Sequence, residues 1–246
     1  MQRPPGVLSP LFRRRGDRWQ KSGMVRLDHV SLRYGAAGTP GREVLHALSL
    51  EIAEGGFCWL LGPSGAGKTS LLHLLGLVLR PSSGVLSLFG TDVGRAARGA
   101  LPALRRQIGV VFQDFRLLPE LSAFDNAALP LRLAGCAEAQ VRADVTAMLR
   151  WLGLGEAGDM PAGALPAGGR QKLAVARAVV SRPRLLLADE PLAALDAAER
   201  KRVLLLLDQL SRLGTTIVVA SRDGEAASGH FGTALWLRDG GLAADG

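Results

Sequence analysis

One run of nine residues, Gly62-Pro63-Ser64-Gly65-Ala66-Gly67-Lys68-Thr69-Ser70, constrains this chain more than any other part of it. It fits the pattern G-x-x-x-x-G-K-[ST], and its flanks are those the pattern needs. Before it, Phe57 to Leu61 is a short continuous apolar run, the mark of a strand buried on both faces. After it, Leu71 to Leu79 reads as an apolar helix. The glycines let successive main-chain N–H groups curl round an anion, and the helix aims its positive end at the same point. The run is thus expected to cradle a triphosphate, with Lys68 reaching the β and γ phosphates and the Thr69 hydroxyl ligating Mg2+.

A loop of this kind needs a partner strand that ends in an acid, and Leu185-Leu186-Leu187-Ala188-Asp189-Glu190 ends in two. Asp189 is expected to hold the metal and Glu190 to polarise the attacking water. Paired acids after a strand also serve as helix caps, and the segment alone leaves that alternative open.

The rest of the chain supplies the fold class. Strand-like alternation runs from Val25 to Tyr34, strands follow at 45–52 and 85–89, and Ile108 to Phe112 is a buried strand ending at Gln113. A weak helix is expected over 101–106. Between Asp114 and Gly163 the spacing turns helical, with Val141, Val145, Met148, Leu149 and Leu152 on one face. A helix at 169–180, a strand at 185–188, a helix at 197–213 and a strand at 216–220 complete the reading. Strand alternating with helix means a parallel sheet covered on both faces. The expected class is α/β, a P-loop NTPase (RecA-like) domain over 24–246 with an antiparallel β subdomain and a helical subdomain over about 114–163.

Composition removes other classes. Cys58 and Cys136 lie far apart and outside any metal-ligand spacing, which excludes a disulfide scaffold and a zinc module. The longest apolar runs fall far short of the ~20 residues a membrane span needs. The net charge of +8 suggests nucleic acid until it is divided: residues 1–23 hold six cations (Arg3, Arg13, Arg14, Arg15, Arg18, Lys21) against Asp17 alone. The remainder is nearly balanced, so nucleic acid is not the expected partner. Pro4, Pro5 and Pro10 break any helix there, and no apolar core of a secretory signal is present. This basic arm is expected to be flexible, either a solvated extension or a contact for anionic lipid headgroups.

With these motifs in this order, the chain resembles the ATP-binding cassette (ABC) ATPases from Met24 to Gly246. The resemblance implies that Tyr34 stacks on adenine and that Gln113 senses Mg2+ and links to a membrane partner. It further implies that Leu165 to Ala178 is the signature segment, and that Ala194-Leu195-Asp196 is the loop following the catalytic Glu190. Asp196 would then bind nucleotide and Gly168 would meet nucleotide held by a second copy, so the expected assembly is a homodimer closed on two ATP molecules. Residues 111–135 and 185–191 look most like the cell-division branch, whose cassette works with an FtsX-like integral membrane protein controlling cell-wall hydrolases. That places the chain peripherally on the cytoplasmic face of a bacterial inner membrane, with apolar surface around Phe115, Leu117, Leu118 and Phe124 receiving the partner. Lipoprotein-release and macrolide-export cassettes are close relatives, and a nucleotide-gated scaffold with little hydrolysis is a further alternative.

Two positions depart from the family pattern. Pro166 stands where the signature has serine and Ala167 where it has its first glycine, so a hydroxyl and an N–H are missing beside Gly168. Arg222 stands where the family has a histidine that contacts the γ phosphate; arginine is always charged and cannot exchange a proton near neutral pH. Both changes predict slower hydrolysis with nucleotide binding retained.

Overall fold

A strand with an apolar middle and no exposed residue must be covered from both sides, and this chain buries such strands at the centre of its larger sheet. The computed structural model describes residues 24–35, 41–222, 224 and 232–243; the basic arm and its expected mobility lie outside them. The six-stranded sheet has the order β10-β9-β3-β8-β7-β6, formed by β3 (Phe57–Leu61), β6 (Ile108–Val111), β7 (Leu185–Asp189), β8 (Thr216–Ser221), β9 (Thr233–Arg238) and β10 (Gly241–Ala243). Every pairing is parallel except β9 with β10.

Side chains of the central strands alternate between two cores with the period of 2 that a pleat imposes. Trp59, Leu186, Ala188, Ile217 and Val219 face a core shared with α3 (Ala123–Leu133), α4 (Glu138–Trp151), α5 (Ala167–Val179) and α6 (Ala197–Arg212). Cys58, Leu60, Leu185, Leu187, Val218 and Ala220 face the other, shared with α1 (Lys68–Leu75) and an antiparallel sheet. That sheet has the order β2-β1-β4-β5, from β1 (Val25–Tyr34), β2 (Arg42–Ile52), β4 (Ser83–Leu88) and β5 (Thr91–Asp92). The short helix α2 (Leu101–Arg105) precedes β6.

Several expectations change. The helix after the phosphate loop begins at Lys68 rather than Leu71 and stops at Gly76 rather than Leu79. Leu77 turns left-handed at φ 58°, and Val78 and Leu79 fold back so that both N–H groups donate to the His73 carbonyl. The strands β9 and β10 were not expected, although Asp239-Gly240 between two apolar stretches is a hairpin signal. Of the four residues expected to form an apolar surface, Phe115, Leu117 and Phe124 pack partly buried on the core, and Leu118 alone is exposed, at 47%. Among the described residues no helix is long and apolar enough to cross a membrane.

Candidate nucleotide-binding site

Parallel strands in one sheet deliver their carboxyl ends to one edge, and ligands of such folds bind there. β3 ends in the glycine loop, β7 in Asp189 and Glu190, β8 in Ser221 followed by Arg222, and β6 two residues before Gln113. One cavity at this edge is lined by the phosphate loop and by Tyr34, Gln113, Asp189, Glu190 and Arg222.

The loop's shape depends on glycine at two places. Gly62 has φ 147°, and a Cβ there would lie 2.1 Å from the Leu237 carbonyl of β9. Gly67 has φ 104°, with the Val44 carbonyl 3.1 Å and Leu45 2.7 Å from where a Cβ would stand. Gly67 gives α1 no side-chain cap and the first turn contains no acid, so its free N–H groups and positive end are left for an anion. The Lys68 amine is buried and donates to the carbonyls of Gly62 at 2.6 Å and Pro63 at 2.9 Å. Burial holds its pKa below the usual lysine value, with Glu190 and Asp189 partly opposing that shift.

Across the cavity the Thr69 hydroxyl donates to Asp189 Oδ2 at 2.6 Å, joining residues 120 positions apart. Asp189 is itself buried. A hydroxyl, one carboxylate and the nearby Gln113 amide are hard oxygen donors, the set that Mg2+ takes when phosphates and waters complete its shell. Among the described residues no group of three or more His, Cys, Asp or Glu forms a protein-only metal cage. The residues present therefore fit a magnesium ion that arrives with phosphates.

Glu190 adopts φ 49°, a left-handed conformation that costs a residue with a Cβ about 1–2 kcal/mol. Its N–H donates to the Ala220 carbonyl of β8 at 3.0 Å, which fixes the acid just past the sheet edge. Oε1 accepts from both the N–H and the Nε–H of Arg222, each at 3.0 Å. Oε2 accepts no hydrogen bond among the described residues. At the far side the Tyr34 hydroxyl lies 3.1 Å from Ser70 Oγ, and the ring is exposed at 43%.

The stretch that carries the loop at 62–69 and the acid at 189 lies within a region similar to known proteins. The ABC transporter family pattern matches residues 45–193. This chain belongs to the ABC transporter family of ATP-binding cassettes. It is 39% identical over 220 residues to the "Cell division ATP-binding protein FtsE" of Escherichia coli (strain K12), covering 89% of this chain and 97% of that protein. It is 38% identical over 203 residues to the "Methionine import ATP-binding protein MetN 1" of Burkholderia orbicola (strain AU 1054), covering 82% of this chain but only 59% of that protein. A solved dimeric post-hydrolysis state of the ATP-binding cassette MJ0796 bound to ADP and Pi superposes with a TM-score of 0.84 at 31% identity, over 90% of this chain and 97% of that one.

Two residues expected at the nucleotide lie away from this cassette's cavity. The Asp196 side chain caps α6, accepting from the Glu199 N–H at 2.8 Å in a capping box. Gly168, in the first turn of α5, packs on the same loop: a Cβ there would lie 3.1 Å from the Ala194 carbonyl and 3.3 Å from Glu199 Oε2. Pro166 is the N-cap of α5, contributes no side-chain cap, and still accepts from the Arg170 N–H at 2.9 Å. The helix start survives the missing hydroxyl. Arg42 and Val44 also line the cavity and were not anticipated. Their signal was available only through pairing, since Arg42 stands opposite Tyr34 across β1 and β2.

Proposed function

We propose that the chain is the ATP-binding subunit of an FtsEX-type membrane complex, coupling ATP binding and slow hydrolysis to a membrane protein that regulates cell-wall hydrolases in division. The observation that carries this is the 39% identity to FtsE over 97% of that protein's length, with the phosphate loop and both strand-end acids intact at one cavity. The methionine-import relative is of similar identity, but this chain spans little more than half of it. The partner implied is FtsX-like, and it would hold the chain at the cytoplasmic face of the inner membrane.

In this reading Gly62, Pro63, Ser64, Gly65, Ala66, Gly67, Lys68, Thr69 and Ser70 bind the triphosphate, and Tyr34 stacks on adenine. Thr69, Asp189 and Gln113 would hold Mg2+, which would supply neutralising charge to the bound phosphates. Glu190 takes the proton of the attacking water through Oε2, because Oε1 already accepts two donors from Arg222. Two copies close face to face, so that Gly168 and Asp196 of each reach nucleotide bound by the other.

The ion pair at 3.0 Å between Arg222 and Glu190 favours low turnover. Two charge-assisted donors occupy Oε1 and hold the carboxylate in one orientation, and Pro166 removes one donor from the facing signature. A nucleotide-gated scaffold that binds ATP and seldom hydrolyses it is therefore the second reading. Calorimetry with Mg-ATP combined with light scattering tests the shared premise: heat of binding and a monomer-to-dimer change are expected, and both are lost in Lys68→Ala. No heat and no dimer from the parent chain would overturn both readings. Division supported by Glu190→Gln but not by Lys68→Ala would select the scaffold.

A further inference from the structure

Arg177 lies ten residues into α5, roughly 15 Å along the axis from its start, and among the described residues it has no acid beside it. Its Nη1 donates to the Arg116 carbonyl at 2.6 Å and its Nη2 to the Phe115 carbonyl at 2.7 Å. Burial pushes the guanidinium pKa down, and no carboxylate offsets it. A cation that gives up water for two main-chain oxygens needs both of those bonds.

The two carbonyls belong to an unusual turn. Phe115 and Arg116 are consecutive left-handed residues with side chains, at φ 62° and 47°. Glycine would adopt this conformation freely; these residues must be held in it from outside. Their N–H groups close the turn by donating to the carbonyls of Phe112 and Asp114, so the turn starts immediately around Gln113. Further along, the buried Asn126 amide accepts from the Leu118 N–H and donates to the Leu118 carbonyl, both at 2.9 Å. The segment between these clamps is tied to α5 through the flat fork of Arg177, which suits two adjacent carbonyls as an ammonium would not.

We infer that Arg177 is a positioning residue for Gln113: it holds the 114–116 turn in its left-handed form and so couples the place of Gln113 in the cavity to α5, the helix whose first turn carries Gly168. The inference rests on the proposed role of Gln113 toward Mg2+. A displacement of α5 then moves both the site's own Gln113 and the surface offered to the second copy.

Hydrogen exchange on the full nucleotide-free chain tests the clamp without any turnover. Arg177→Met is expected to speed exchange of the Phe115 and Arg116 amides on the order of 10-fold, leaving β3 and β7 amides unchanged; Arg177→Lys, which keeps the charge but not the fork, falls between. Unchanged exchange at 115–116 in both variants overturns the proposal, and the lysine variant supplies the answer if the methionine variant does not fold. Phosphate release against Mg2+ concentration then tests the coupling. Arg177→Met should raise the Mg2+ needed for half-maximal turnover by the same factor as Gln113→Ala, and the double variant should be no worse than Gln113→Ala. Losses that multiply overturn the coupling. A Gln113→Ala chain with normal Mg2+ dependence would instead sink the assigned role of Gln113 and the coupling with it, while exchange still decides the clamp.

Discussion

The two sides of the cavity are built on different plans. On the phosphate side the cradle comes from nine consecutive residues, shaped by glycine torsions and the start of one helix. On the opposite side Gln113, Glu190 and Arg222 arrive from three strand ends, and side chains distant in sequence set their positions. The bond from Arg222 to Glu190 spans 32 positions and that from Arg177 to Phe115 spans 62. A contiguous cradle leaves little room for variation, because a Cβ at Gly62 strikes a neighbouring strand. On the assembled side each position is set by a bond of its own, as Arg222 makes to Glu190, so a different residue that makes such a bond can keep the geometry. Binding should therefore be conserved in strength while turnover is adjustable.

The largest effect expected from this contrast is at Glu190. Glu190→Gln should cut phosphate release by ~10²- to 10⁴-fold, the usual worth of a general base, and leave the dissociation constant for ATP within about twofold. A parallel loss of ATP affinity would show that the two sides are not separable. Next comes the reverse experiment. Arg222→His combined with Pro166→Ser should raise turnover by roughly 10- to 10³-fold, since one transition-state donor is typically worth ~10²- to 10³-fold and gains within one site do not simply multiply. The histidine variant should also acquire a pH limb near ~6.5, its imidazole charging below that value, where the parent profile is flat. Rapid release by the unaltered chain breaks the comparison.

A smaller effect concerns stability of the helical side. Hydrogen bonds from Arg132 and Ser122 hold the Asp125 carboxyl below the usual range. A depressed folded pKa means that the unfolded chain takes up the proton first. The contribution is complete above the unfolded value of about 3.9 and is lost as pH falls through the folded one. The pair is exposed, so Asp125→Asn should cost less than about 1 kcal/mol at pH 7 and progressively less as the pH falls below about 3.9, read from urea midpoints across that range. The smallest change is chemical. Burial pushes the Cys58 thiol up to about 12, and Cys136 is exposed. One thiol should react with a disulfide reagent at pH 8 in the native chain and two in denaturant.

Legibility in the sequence follows the same division. The run from Gly62 to Ser70 and the strand ending in Asp189 and Glu190 were readable because torsional demand and burial act on adjacent residues. The helical face from Val141 to Leu152 was readable by period, and all five of its apolar positions are buried. The roles of Phe115, Leu117 and Phe124 were not, since an apolar side chain beside a loop looks the same whether it meets a partner or its own core. Nor did any local pattern mark Arg177 as the clamp on a turn 62 positions away, or set Arg42 against Tyr34 across a strand pair. Such residues are defined by what the fold brings to them. The hairpin of β9 and β10 was missed for a plainer reason: six residues with weak alternation follow a long polar stretch, and only its turn carries a signal.

That hairpin sets the order in which the site matures. Leu237 lies against Gly62, and the Gly240 N–H donates to the Ala66 carbonyl at 3.1 Å, so the phosphate cradle leans on residues translated some 170 positions after it. A ribosome that has released residues 1–230 has made every residue lining the cavity but not the hairpin that backs Gly62 and Ala66. Nascent chains should therefore become competent to hold ATP only once the β9–β10 hairpin has been made and packed behind the loop.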